Sequence, residues 1–258
     1  MPGDCGRDGI GRDRPDHFDR GKLGMSQQAS AATEFFVDTW EVYRKLVAAN
    51  DMFHRELYAE VEERLTPADG QPFSLLDLGC GDAATLAPVL RRLPVSSYLG
   101  VDLSPVALEL AAANLRGVSG AVAFQLGNIL DTLSGKREPV DVIFSSFVLH
   151  HLDADEQLAF LHGCRRHLRP GGQLLLIDVM RDEGQTLPDY LDAYIEVMER
   201  DWTTLTPEEC RYATTHVRHF DRPGTLAELR ARSEVAGFRE FQPMCRHTWH
   251  HLVSLRVV

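Results

Sequence analysis

No stretch of the sequence approaches the run of about 18 apolar residues that a membrane-spanning helix needs, which excludes a helical bilayer protein. Basic residues are also in short supply: 27 Lys and Arg stand against 38 Asp and Glu, a formal charge of −11. Lys and Arg form no block either, so the balance argues against a chain held on nucleic acid by phosphate neutralisation or on a membrane by a basic patch. The five cysteines (Cys5, Cys80, Cys164, Cys210, Cys245) are scattered, odd in number and include no C-x-x-C pair. That excludes a zinc ribbon or disulfide framework and points to a reducing, cytoplasmic compartment. There is no internal repeat at a fixed period.

What is present is an ordinary globular composition, 258 residues of which 44% are hydrophobic. Such a length can bury a full core without metal or disulfide staples. Residues 1–28 are rich in Gly, Asp and Arg and lack both apolar periodicity and the apolar segment of a secretory signal. They are expected to form a disordered leader, with Met25 just ahead of the first plausible structure. Residues 29–258 are then expected to form a single domain.

From Phe36 to Leu65 apolar residues recur at steps of three or four, a helical stripe that predicts lid helices over 34–66. Tyr43, Asn50 and His54 interrupt it with polar groups. They either cap and pack the helices or face a pocket and contact a ligand there. After Pro67 and Gly70, short apolar strands alternate with helices. The expected strands are Ser74–Leu78, Tyr98–Leu103, Val122–Leu126, Val140–Phe147 and Gln173–Val179. Ser104 with Pro105 opens one intervening helix, and Asp153 with Glu156 makes a capping box for another. The Arg169-Pro170-Gly171-Gly172 turn is expected to end that second helix. Regular alternation implies parallel βαβ units in a doubly wound α/β sheet.

Residues 183–222 break this rhythm and read as a helical cap insertion. Its Tyr190 and Tyr194 are candidates for substrate contact, and packing is the alternative. Phe238–Gln242 and Thr248–Val257 close the chain as a hairpin turning near Pro243. His247 and His251 would then share one strand face about 13 Å apart, too far for one ion, and no metal site is expected.

The decisive segment is Leu75-Leu76-Asp77-Leu78-Gly79-Cys80-Gly81-Asp82-Ala83, a strand, an acid and a Gly-x-Gly turn. Glycines there let the backbone turn tightly and let a ligand approach without a Cβ in the way. Asp102, at the end of the second strand, can accept hydrogen bonds from both hydroxyls of a ribose. Asp82 in the loop would repel a pyrophosphate, so the expected nucleoside carries no phosphate. S-adenosylmethionine fits better than a dinucleotide. Cys80 reads as a small space-filler rather than a nucleophile.

LLDLGCGDA, GVDLSP, the Gly127-Asn128-Ile129 turn, DVIFSSFVLHHL and the LRPGG turn together resemble the successive motifs of class I S-adenosylmethionine-dependent methyltransferases, over roughly Phe73 to Val179. The resemblance implies a Rossmann-like seven-stranded sheet in the order 3-2-1-4-5-7-6, with strand 7 antiparallel. It also implies donor contacts from Asp77, Gly79, Cys80 and Gly81 to the methionine part and from Asp102 to the ribose. Leu103, Asn128 and Ile129 would meet the adenine, and Ser145 the donor's amino acid end. Ala83 stands where the family often has a third glycine, and Asn128 where it often has aspartate. His150 and His151 follow the fourth strand at the carboxyl edge of the sheet. His150 is the candidate general base, with packing or positioning as the other reading. The expected function is methyl transfer to O or N of a small-molecule acceptor. The alternatives are a protein methyltransferase and a non-catalytic S-adenosylmethionine-binding protein.

Overall fold

The structure, a computed structural model, describes residues 41–257. The leader and the start of the lid stripe, Phe36 and Trp40 included, lie outside the described residues. Seven strands form one sheet: β1 (Phe73–Leu78), β2 (Val95–Asp102), β3 (Ala121–Leu126), β4 (Val140–Ser146), β5 (Leu168–Val179), β6 (Glu240–His247) and β7 (His250–Arg256). Their order is β3-β2-β1-β4-β5-β7-β6. The first five pair in parallel, and β7 runs antiparallel to both β5 and β6.

Strand alternation splits the core between the two faces of the sheet. Leu75, Phe144, Leu175 and Leu252 point to one face, where α2 (His54–Leu65) and α7 (Leu187–Asp201) pack. Leu76, Ile143, Leu174 and Val253 point to the other, against α5 (Ile129–Ser134), α6 (Ala154–His167) and α9 (Leu226–Val235). β1 is buried along its whole length, as a strand covered on both faces must be. Pro105 opens α4 (Pro105–Asn114) under the Ser104 cap, and the Asp153–Glu156 capping box opens α6, both as the sequence predicts.

The lid stripe forms two helices: residues 41–49 are the described part of α1, and α2 begins at His54. Asn50 (φ 67°) and Phe53 (φ 57°) make the break between them in the left-handed region. Two local expectations are corrected. First, the Arg169–Gly172 turn does not simply end α6 but is the bulged start of β5. Val140 pairs with Leu168, the register then slips, and the Gly171 N–H donates to the Val257 carbonyl at 2.9 Å. Finally, the terminal hairpin turns at Thr248-Trp249, not at Pro243. Pro243 sits in β6, an edge strand with a register shift between Pro243 and Cys245, where a missing N–H is tolerated. His247 and His251 therefore lie on different strands, and His247 pairs with His250.

The cap expected over 183–222 is helical. α7 starts under the Thr186 cap, and α8 (Pro207–Phe220) starts with a Thr206–Glu209 capping box. Together with α1 they roof the carboxyl ends of β4 and β5.

Candidate active site

The turn after β1 is fixed by β2. The N–H groups of Gly79 and Cys80 both donate to the Val101 carbonyl, at 2.8 and 3.1 Å. The Gly81 N–H donates to Asp102 Oδ2 at 2.8 Å, and the Ser104 N–H donates to Asp102 Oδ1 at 2.9 Å. Gly79 has φ 75°, and a Cβ there would lie 2.3 Å from Val148 Cγ2, so only glycine fits. Each Asp102 oxygen takes one backbone N–H and keeps a lone pair for a ribose hydroxyl.

Asp77 is buried beneath this turn and accepts from the Tyr98 hydroxyl at 2.7 Å. Burial raises its pKa to about 7, against the lowering effect of the Tyr98 hydrogen bond, and the charge of Asp102 adds to the rise. A buried carboxylate so placed favours a cationic neighbour. The set fits S-adenosylmethionine: a carboxylate with two spare acceptor sites, a Cβ-free turn and a buried acid that favours positive charge. Cys80 is buried, and its thiol is pushed far up by that burial, which leaves it a filler and no nucleophile.

The other expected donor contacts divide. Leu103 is 40% exposed, available as a platform for a flat ring. Asn128 caps α5: its Oδ1 accepts the Leu130 N–H at 2.7 Å and keeps one lone pair for a ligand amino group. Ile129, in the first turn of α5, is buried. Ser145 is buried at 1% exposure, and its hydroxyl donates to the Leu78 carbonyl at 2.8 Å. It ties β4 to β1 and presents no hydroxyl to a donor.

Beside the donor turn lies a cavity of about 130 Å³, close to the size that holds a single benzene ring. Tyr43 and Leu46 of α1, Phe147 after β4, Tyr194 and Met198 of α7, and Trp202 make its apolar side. His150, His151, His216 and Asp221 make its polar wall. Phe147 brings the cavity to the donor turn, because Val148, the next residue, packs against Gly79. Burial raises the Tyr43 phenol pKa, and the charge of Asp82 adds to the rise.

Of the five expected acceptor contacts, Tyr43 and Tyr194 line the cavity and the other three do not. His54 stands behind Tyr43, with its Nε2 3.2 Å from the tyrosine hydroxyl. Burial lowers the His54 pKa to about 4 and keeps it neutral. Asn50 turns to α2, where its Oδ1 accepts the Arg55 N–H and its Nδ2 donates to Glu56, both at 2.8 Å. Tyr190 is wholly buried in the core, stacked on Tyr194 at 5.4 Å.

The polar wall gathers residues far apart in the chain. Asp178, at the end of β5, accepts the N–H groups of Leu149 (2.7 Å), His150 (3.2 Å) and Val179 (2.7 Å), and it pairs with His150 Nδ1. That pairing fixes the imidazole and turns His150 Nε2 toward Asp221 Oδ1, 3.7 Å away. Asp221 reaches this spot because the next residue, Arg222, donates its backbone N–H to the His150 carbonyl at 2.6 Å. Burial alone would lower the His150 pKa, but Asp178 and Asp221 outweigh it and raise the value to about 9. His216, chiefly through burial, is lowered to about 3. Sequence reasoning missed Asp178 and Asp221. Asp178 could have been found as an acid at the carboxyl end of a central strand, where such sheets bind ligands. Asp221 ends α8 with no periodic signal at all.

Comparison with known proteins agrees with this geometry. Residues 76–174 match the family model described as a methyltransferase domain. The chain is 30% identical over 173 residues to the carboxy-S-adenosyl-L-methionine synthase of Aeromonas salmonicida, covering 65% of this chain and 68% of that one. It is 32% identical over 139 residues to an uncharacterized methyltransferase of Emericella nidulans, covering 48% of this chain and 47% of the relative. Among solved structures, an O-methyltransferase family 2 protein from Planctomyces limnophilus, in complex with apigenin, superposes with a TM-score of 0.58 at 22% identity. That match covers 83% of this chain and 61% of the other. The chain belongs to the class I S-adenosylmethionine-dependent methyltransferase family, whose methyl donor is S-adenosylmethionine. It spans about half the length of the Emericella relative.

Proposed function

We propose that the protein transfers a methyl group from S-adenosylmethionine to an oxygen or nitrogen of a small, flat, largely apolar acceptor. The observation that carries this reading is the cavity, which joins an aromatic side to a single polar wall and borders the donor turn through Phe147, whose neighbour Val148 packs against Gly79. A space of about 130 Å³ suits a small ring better than a peptide segment lying across the surface. The O-methyltransferase with bound apigenin supports the same class of acceptor.

The donor, when bound, supplies an electrophilic methyl group on sulfur. Asp102 holds its ribose, and the Gly79–Gly81 backbone and Asp77 hold its methionine part. Leu103, Asn128 and Ile129 border the adenine. Tyr43, Phe147, Tyr194 and Trp202 hold the acceptor's ring and exclude water, positioning that can supply about 7–11 kcal/mol of the barrier. The acceptor's heteroatom faces the polar wall. His150 Nε2 takes its proton in the neutral form of the ring, which gains population as pH approaches about 9, and Asp178 holds the ring in place. A cytoplasmic location belongs to this reading, supported by Cys80, Cys164, Cys210 and Cys245, which are all free thiols. No helix among the described residues is long and apolar enough to cross a membrane.

A structure with S-adenosylhomocysteine tests the proposal. Its sulfur is expected at the mouth of the cavity beside Tyr43 and Phe147. A sulfur facing bulk solvent, with the cavity walled off from it, would refute the acceptor assignment.

A further inference from the structure

The polar wall contains a geometry that hydrogen bonding does not explain. Asp221 is 3% exposed, yet among the described residues its Oδ1 meets no hydrogen-bond donor. Around that one oxygen stand His151 Nδ1 at 3.5 Å, His150 Nε2 at 3.7 Å and His216 Nε2 at 3.9 Å. An N–H···O bond would close to about 2.7–3.2 Å. The edge of a coordination tetrahedron, with metal–ligand bonds of about 2.0–2.1 Å, is about 3.3–3.5 Å. The observed spacings lie closer to the second figure.

Two further features match a metal centre. One ligand atom each from His150, His151 and Asp221 lies within 4.8 Å of the others. The imidazoles are also oriented from behind, His150 through Nδ1 by the Asp178 carboxylate and His151 by the backbone of Phe220. Metal-binding histidines are commonly held this way by a carboxylate or carbonyl. Asp178 and Asp221 together bring two carboxylates into a dry wall, and that arrangement calls for a cation.

We propose that His150, His151 and Asp221, with His216 beside them, bind one divalent first-row transition-metal ion, and that this ion grips the heteroatom of the acceptor. Two or three imidazoles with a single carboxylate suit zinc, ferrous iron, cobalt or nickel rather than magnesium or calcium. The ion would polarise the acceptor's hydroxyl or amine and lower its pKa, so that the proton passes to solvent at the cavity mouth and His150 is left as a ligand. The inference rests on the acceptor-cavity reading above and deepens it. It departs from the expectation of no metal, which was argued from His247 and His251, whereas the cluster uses other histidines.

The test uses the full, untagged chain, stripped with a chelator and titrated with Co²⁺ at neutral pH. One equivalent is expected to bind, with visible absorption from imidazole coordination that Zn²⁺ abolishes. Asp221→Ala is expected to weaken binding at least tenfold. Asp178→Asn, which leaves every ligand in place, is expected to weaken it about 10–100-fold. His219→Ala, outside the cluster, should leave it unchanged. If Asp221→Ala does not fold, shown by loss of S-adenosylhomocysteine binding, His151→Gln takes its place. Absence of the cobalt spectrum, or a spectrum indifferent to both substitutions, overturns the site. Full turnover of the stripped chain overturns the ion's role and leaves the methyl-transfer reading intact. Stoichiometric metal with no methyl acceptor would instead remove that reading and keep the site.

Discussion

The backbone N–H of Gly81 donates to the carboxylate of Asp102 at 2.8 Å, so the residue that should hold the donor's ribose also holds the donor turn. Beyond the ribose contact proposed for it, Asp102 braces the loop that the donor would enter.

Substitutions at Asp102 should separate these two duties. Asp102→Asn keeps an oxygen for one backbone N–H and loses the charge. A charge-assisted hydrogen bond contributes about 1.5–3 kcal/mol, so S-adenosylhomocysteine affinity should fall at least about tenfold. Asp102→Ala should fall further and also lower the melting temperature, since the Gly81 and Ser104 N–H groups both lose their acceptor. Calorimetric titration and thermal melts on both variants check this.

Gly79→Ala should damage the same turn sterically. The new Cβ would sit 2.3 Å from Val148 Cγ2 at φ 75°. Left-handed backbone costs a non-glycine residue about 1–2 kcal/mol, and the clash adds to that. Adding Val148→Ala should recover the clash part of the lost stability and leave the backbone part. No recovery in the double variant, read by chemical denaturation, would show that Val148 is not the obstacle.

The pH dependence follows from Asp77. Its folded pKa of about 7 lies above the ordinary value of 3.8. Between those values the folded chain holds a proton that the unfolded chain has released, so the Asp77 contribution to stability falls as pH rises from about 4 to 7 and is flat above. Asp77→Asn keeps an acceptor for the Tyr98 hydroxyl and removes the titration. Its stability relative to wild type should therefore rise over that interval. Donor affinity in the wild type should change the opposite way, strengthening as pH rises through about 7, because the ionised carboxylate meets the cationic donor. Denaturant midpoints and calorimetry at pH 5, 6, 7 and 8 provide the comparison.

The acceptor cavity can be filled without touching the donor turn. Ala213 of α8 lines it, and Ala213→Phe should raise the acceptor KM severalfold or abolish turnover while S-adenosylhomocysteine binds as before. Tyr194→Phe is a different probe. The Tyr194 hydroxyl lies 3.1 Å from the buried His250 Nε2, so losing it leaves a buried nitrogen without its partner. About 1–3 kcal/mol of stability should go, with little change in turnover per folded molecule.

The sheet and the donor turn were legible because their signals are local. Strand alternation, the Ser104 and Asp153 caps and the Gly79–Gly81 turn each occupy a few consecutive residues. The polar wall was legible only in part. His150 announced itself at the end of a strand, but Asp178 is 28 residues away and Asp221 reaches His150 only through the Arg222–His150 backbone bond. Polar interruptions in the lid stripe pointed correctly to Tyr43 beside a cavity. For Asn50 the capping alternative is the one the structure shows, with its amide spent on the start of α2, and periodicity alone could not choose between the two because it does not record the backbone reversal. Pro243 misplaced the hairpin turn for a similar reason: on an edge strand, proline is compatible with pairing on one side.

Methyl transfer to a small acceptor seated in the cavity can be read directly from the fate of the methyl group. S-adenosylmethionine labelled in its methyl group is incubated with the purified chain and a panel of small phenols, catechols and aromatic amines. The label is then followed in the small-molecule and protein fractions. Label is expected in a small acceptor, with one S-adenosylhomocysteine formed for each, and is expected to be lost in Asp102→Ala and in Ala213→Phe. Label only in protein, or tight donor binding with no S-adenosylhomocysteine formed from any acceptor, would rule out methyl transfer to a small acceptor.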